Sequence, residues 1–410
     1  MKVLVLCGGR PQLYLVQLLK QRGHTVLVAD RNENAPAVKY ADAFHSVSTL
    51  DVDGIRELAK NEKVDTIMSV CADQMLLVAA QICEELGLPC YIDYETAKNV
   101  SSKEYMKRIF VENGVPTSKH IVRSEFSPED IEGMSFPIVV KPVDSYSSRG
   151  VKKVENIDEL KAAFADAVSI SRTDTAVIEE FVGGEEVSVD VYVEGGKAHL
   201  LCIRVLDKIP DFEGFVICRG VYPAPISEAT EAKIADVAQK IATAFGLTDT
   251  PMLIQMKVDG ERVSVIEFCA RTGGGIKYRL LPIVSGFDVV KAVADLTVGV
   301  KPHYDGKKFN GFIIDEFLYC SPGVLDHVEG FAELLEEGII DHYEIYKQPG
   351  HVFSPASCSG DRVAYFSVKA DTKEELERMH RIASERVKAV DANGNDLIRH
   401  DIIEIKKYNI

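Results

Sequence analysis

The decisive stretch is LIQMKV at 253–258, the pair Asp259-Gly260, and VSVIEFCARTGGG at 263–275. Two apolar runs flanking Asp-Gly read as an antiparallel hairpin. Period-2 geometry puts Glu267, Cys269 and Arg271 on one side of the second strand, and Gln255 can share that side from the facing strand. A surface hairpin of alternating charge would not set one acid, Glu267, inside an apolar run. A carboxylate facing a carboxamide is oxygen-rich, which suits Mg²⁺ bridging phosphates. Arg271 would then neutralise a transferring phosphate.

Upstream, PIVVKP at 137–142 ends an apolar strand on Lys141. Burying an ammonium without a partner is costly, so Lys141 either snorkels to water or meets an anion. The polar loop DSYSSRG at 144–150 follows, with small residues able to fold over phosphates. Lys103 lies in the first turn of a helix opened by SSKE at 101–104, a capping box. That helix buries Tyr105, Met106, Ile109 and Phe110 and stops at Gly114. AVIEEFVGGEEVSVD at 176–190 runs an apolar strand into two acids, an aromatic, a glycine pair and two more acids. It reads either as a charged surface connection or as a hinge offering backbone N–H and C=O groups to a purine edge, with an acid beyond it for ribose hydroxyls.

Three units frame these motifs. Residues 1–95 alternate short apolar strands (3–6, 25–29, 65–70 and 89–92) with amphipathic helices, the pattern of a doubly wound parallel sheet. Residues 96–305 form an α+β unit of hairpin pairs and helices, with subdomains of about 96–180 and 181–305. Residues 306–410 form a third, α+β unit, with a final strand near 401–405. The fold class is therefore α/β plus α+β. The first strand ends in CGGR at 7–10 and the second at Asp30. Asp30 suits a dinucleotide fingerprint, but the third glycine is missing, so this is the weakest functional signal.

The 410 residues carry a net charge of −16 and are 46% hydrophobic. This is a globular composition, and its field disfavours nucleic acid and anionic membrane as partners. No run is long and apolar enough to span a bilayer, and there is no signal-peptide pattern. Nine scattered cysteines without zinc spacing read as reduced thiols of a cytoplasmic protein.

Taken together, the ordered segments resemble the ATP-grasp superfamily, on the side of L-amino acid ligases and carbamoyl phosphate synthase-like proteins. The resemblance implies an N-terminal domain preceding an ATP-grasp domain of two subdomains, then a C-terminal cap. It implies ATP and Mg²⁺ as cofactors, with Mn²⁺ able to substitute. By it, Lys103 and Lys141 match phosphate-binding lysines, and Ser145, Ser147, Ser148, Arg149 and Gly150 the mobile phosphate loop. Glu179, Glu180, Phe181 and Val182 match the adenine hinge, and Glu186 the ribose acid. Gln255 and Glu267 match metal positions and Arg271 the phosphate arginine; Lys141 and Arg271 carry catalysis. Cys269 departs from the family's asparagine. Thiol is a poor ligand for a hard ion, so Glu267 holds metal with phosphate and water alone, or Cys269 meets substrate, or activity is lost.

The activity implied is an ATP-dependent ligase that converts a small carboxylate to an acyl phosphate and joins it to an amine, releasing ADP and phosphate. A bicarbonate-using relative and a non-catalytic nucleotide-binding protein are the alternatives. Arg204, Lys208, Arg219, Lys277 and Arg279 are candidate contacts to an anionic substrate, and a homodimer is expected by analogy. The cations Lys103, Lys141, Arg149 and Arg271 should converge on one cleft.

Overall fold

The computed structural model describes residues 1–144, 150–209 and 215–403. Ser145, Ser147, Ser148 and Arg149 lie outside the described residues. The chain combines an N-terminal parallel sheet, a central antiparallel region and a C-terminal α+β part.

In the N-terminal part, strands Lys2–Leu6, Thr25–Asp30, Ala43–Ser46 and Thr66–Met68 form a parallel sheet. Alternation sends Val3 and Val5 to one face and Leu4 and Leu6 to the other. Helix Arg10–Gln21 covers the first face, joined there by Val290, Val293 and Ala294 of helix Val289–Thr297. Helices Val52–Glu62 and Asp73–Leu86 cover the second. One strand goes unread in the sequence, and one expectation needs correction. Ala43–Ser46 is a strand although half its residues are polar, because it is an edge. Pro89–Ile92 is not a strand; Pro89 accepts a hydrogen bond from the Thr66 hydroxyl through its carbonyl and makes no ladder.

A small antiparallel sheet follows, ordered His120–Arg123, Ala176–Glu180, Ile138–Pro142, Lys152–Val154. Helix Ile157–Ile170 packs Leu160 and Phe164 onto Ile138, Val140 and Ile178. The large sheet has eight strands, in the order Arg262–Cys269, Thr250–Asp259, Glu185–Glu194, Lys197–Lys208, Ile217–Tyr222, Phe312–Leu318, Ala364–Ala370 and His342–Ile345. The last three come from residues beyond 306, so one sheet runs from the hairpin at 253–269 into the C-terminal part.

The two faces of this sheet differ in character. Along Glu185–Glu194, the buried valines 187, 189, 191 and 193 alternate with Glu186, Ser188 and Asp190. Glu267, Gln255, Ser188 and Arg204 are successive register partners. Gly220, Asp315, Ser367 and His342 continue the series at the other end. Arg204 bridges the two halves, donating to Asp315 at 2.8 Å over Gly220, where a Cβ would lie 2.8 Å from its guanidinium. Near the C-terminus the expected strand is a 3₁₀ turn at His400–Ile402, and residues from 404 lie outside the described residues.

Candidate nucleotide and metal site

The helix carrying Lys103 spans Lys103–Glu112 and is capped by Ser102, whose hydroxyl accepts from the Tyr105 N–H. Ser101 ends the preceding helix Tyr94–Ser101, which the sequence reading missed. The buried residues of the capped helix are Met106, Lys107 and Phe110; Tyr105 and Ile109 are only partly buried. The helix face thus carries a buried lysine inward.

Between the two sheets lies a cleft lined by Lys103, Lys141, Glu179, Glu180, Phe181, Val182, Glu186, Lys208, Gln255 and Glu267, with Val139, Val151, Phe215, Val265 and Ile266 as apolar wall. The hinge predicted at 179–182 forms one side of it. Gly184 closes the hinge with φ +94, and a Cβ there would sit 2.3 Å from the Val258 carbonyl oxygen, so only glycine fits. Glu186 is buried; one oxygen accepts from Lys208 at 2.7 Å and faces Gln255 at 3.4 Å.

Lys141 does not reach water. It donates to Glu179 at 2.6 Å, and Lys107 approaches the other carboxylate oxygen at 2.8 Å. Ser118 donates to that same oxygen at 2.8 Å. All three charged side chains are buried. Burial alone would raise the pKa of Glu179, but the two ammonium groups outweigh it and hold the carboxyl well below its usual range. Burial favours a neutral Lys141 as well; Glu179, with Glu267 beyond it, reverses this and raises its pKa.

Glu267 and Gln255 are cross-strand partners, and Lys103 stands 3.7 Å from Glu267. The Glu267 side chain is more than one-third exposed, so its oxygens open toward the cleft. A carboxylate beside an amide oxygen fits a hard divalent cation, with waters and phosphate oxygens completing the shell. Among the described residues no group of three His, Cys, Asp or Glu gathers; Glu267 and Gln255 both line the cleft.

Arg271 lies past this wall. Its guanidinium grips Asp73 of the N-terminal part at two points, 2.6 and 2.5 Å, and donates to the Thr272 carbonyl at 2.8 Å. Burial works against the Asp73 charge, but Arg271 prevails and lowers its pKa. Burial also drives the Cys269 thiol well above its ordinary pKa, against the pull of Arg271.

The structure gathers Lys103 and Lys141 in the cleft, but Arg271 is turned to Asp73 and does not line it, and Arg149 lies outside the described residues, so of the four expected cations the two lysines meet there. Of the five candidate substrate cations, Lys208 lines the cleft. Arg204 is buried on Asp315 and Arg219 on Glu316, and Lys277 pairs with Asp190 and Ser188. These three face internal partners, because strands of the large sheet carry their acids to the same level. Arg279 instead lines a second cavity of about 840 Å³, with Arg10, Tyr14, His342, Glu344 and Lys347. The Gly8–Asp30 turn turns inward too, Asp30 accepting from the Gly8 N–H at 2.7 Å. Lys107 and Asp73 were missed: one sits on a helix face read as apolar, the other caps no motif and meets its partner only in the fold.

Three family models match the chain: an ATP-grasp domain at residues 134–279, a PylC-like N-terminal domain at 3–90 and an L-amino acid ligase C-terminal domain 2 at 316–391. A formate-dependent phosphoribosylglycinamide formyltransferase from Mannheimia succiniciproducens is 27% identical over 255 residues, covering 60% of this chain and 63% of the relative. A 3-methyl-D-ornithine–L-lysine ligase from Methanosarcina acetivorans is 28% identical over 231 residues, 55% and 56% of the two chains. The matches thus span less than two-thirds of these curated relatives. Among solved structures, an L-amino acid ligase from Bacillus licheniformis superposes with a TM-score of 0.80 at 20% identity, over 96% of this chain and 99% of that one. A phosphoribosylglycinamide synthetase from Anaerococcus prevotii superposes at 0.77 and 19% identity, over 95% and 99%. With the domain models in the order the fold displays, the chain carries an ATP-grasp domain between a PylC-like N-terminal domain and an L-amino acid ligase C-terminal domain 2.

Proposed function

We propose that the protein is an ATP-dependent carboxylate–amine ligase. The observation that carries this reading is one cleft presenting the hinge 179–182, the acid Glu186, the cations Lys103 and Lys141 and the oxygen pair Gln255–Glu267. Adenine would lie against the hinge backbone, with Glu186 taking ribose hydroxyls. Lys103 and Lys141 would hold the phosphates, and residues 145–150 would cover them. Mg²⁺, when bound at Glu267 and Gln255, supplies charge neutralisation for the phosphate oxygens; we expect Mn²⁺ to substitute.

A carboxylate oxygen attacks the γ-phosphorus of ATP, the bond to the β-phosphate oxygen breaks, and ADP leaves. Lys141 and Arg271 offset the charge that develops. An amine then attacks the acyl carbon and phosphate departs. The acyl phosphate hydrolyses if water reaches it, so the reaction needs a site shielded from solvent. The second cavity, which segment 272–279 reaches through Arg279, offers room for the amine-bearing partner. Domain boundaries near 95 and 305 and a homodimer belong to the same proposal.

The test is an ADP-release screen against small carboxylic acids with and without amines. ADP release that requires both supports ligation. Release driven by bicarbonate alone selects the carboxylase reading, and ATP binding without turnover selects a nucleotide-binding protein.

A further inference from the structure

Lys107 does not line the cleft, yet it is 1% exposed and fully engaged. It donates to Thr117 at 2.7 Å and Ser118 at 3.2 Å and pairs with Glu179 at 2.8 Å. Thr117 in turn donates to the Val265 carbonyl at 2.9 Å, two residues before Glu267. Lys107 therefore stands where the helix Lys103–Glu112, the small sheet and the Glu267 strand meet. On the opposite oxygen of Glu179 sits Lys141, which does line the cleft.

This arrangement poses a charge problem. If Lys141 turns to a nucleotide phosphate, it loosens its hold on Glu179. A buried carboxylate left without a counter-ion is strongly disfavoured, so Glu179 alone would keep Lys141 from the phosphate. A second ammonium behind the carboxylate removes that conflict. We propose that Lys107 is a positioning residue that keeps Glu179 neutralised while Lys141 shifts to the phosphates, so that nucleotide affinity depends on a lysine that never touches the nucleotide.

The proposal rests on the nucleotide-site reading, and its test is direct ATP·Mg²⁺ binding by calorimetry on the full chain. Lys107→Gln keeps a hydrogen-bond donor and loses the charge. It is expected to weaken ATP by about tenfold or more. The loss should persist at about 1 M salt, where the screening length of ~3 Å would erase a long-range field effect. Lys107→Arg should bind within a few-fold of wild type. The double variant Lys107→Gln/Glu179→Gln removes the buried anion that competes for Lys141 and should bind ATP more tightly than Lys107→Gln alone. Wild-type affinity in Lys107→Gln overturns the proposal, as does a loss that vanishes in salt or is undiminished in the double variant. If Lys107→Gln does not fold, Lys107→Arg decides: affinity within a few-fold of wild type supports the charge role, and a loss of about tenfold overturns it. A wild-type chain that binds no ATP overturns the nucleotide reading itself, together with this one.

Discussion

Arg271 and Asp73 are separated by 198 residues in the chain and meet in a two-point ion pair. The pair ties the N-terminal sheet's helix Asp73–Leu86 to the end of the Glu267 strand. A planar guanidinium held at two points is oriented as well as charged, which an ammonium cannot reproduce. Arg271→Lys is therefore expected to lower kcat by about 10²-fold, with ATP affinity changed only a few-fold. Asp73→Asn should cost less, since it leaves the arginine in place. Steady-state ADP release alongside binding separates the two effects.

Glu267 is the carboxylate at the candidate metal pair. Glu267→Gln should shift the Mg²⁺ requirement upward by at least about tenfold, read from ADP release against Mg²⁺ concentration. Cys269→Asn adds an oxygen donor beside it. If metal rests on Glu267 with water and phosphate, that variant gains Mg²⁺ affinity with turnover unchanged. Lost turnover would assign Cys269 to the substrate or to the packing around Arg271.

The depressed pKa of Glu179 fixes the sign of a pH effect. In the unfolded chain Glu179 takes up its proton near its ordinary value of 4.5, while the folded chain resists protonation. The stabilisation is thus complete above about pH 4.5 and is lost as pH falls toward the depressed native value. Glu179→Gln leaves two buried lysines without their anion and should cost about 3–5 kcal/mol at pH 7. That gap should narrow below pH ~4.5. Urea unfolding of both proteins between neutral and acid pH measures it.

The hinge offers a paired control. Gly184 has φ +94 and no room for a Cβ, whereas Gly183 has nothing within 4 Å. Gly184→Ala is expected to cost about 1–3 kcal/mol from backbone strain, and more from the clash with Val258. It should also weaken ATP. Gly183→Ala should do neither, by thermal melting and nucleotide titration.

The legible parts of the site share a property: each breaks a local pattern. Lys141 and Glu267 are single charges in apolar strands, and Gly183-Gly184 interrupts an acidic hinge. Lys107 breaks nothing visible, because the helix face through Tyr105, Met106, Ile109 and Phe110 looked complete without it. Asp73 is only an acid in a helix's first turn until Arg271 arrives. By sequence, Arg204, Arg219 and Lys277 are candidate contacts to an anionic substrate or surface cations. Their anions, Asp315, Glu316 and Asp190, are distant in sequence and become neighbours only in the fold, Lys277 reaching Asp190 from helix Lys277–Ser285. The parallel and antiparallel sheets could be read from periodicity, but the edge strand Ala43–Ser46 lacked the apolar run that marks its neighbours.

The continuous eight-stranded sheet has a consequence for anyone recombining this protein with its relatives. Strand Phe312–Leu318 is hydrogen-bonded to Ile217–Tyr222, so a cut near residue 306 would expose a bare ladder of peptide groups along Ile217–Tyr222. Such an open edge invites self-association. A grafted cap must therefore bring a strand in matching register, with an acid at position 315 to receive Arg204. Chimeras that splice at the apparent boundary without that strand should precipitate, and those that carry it should stay dispersed.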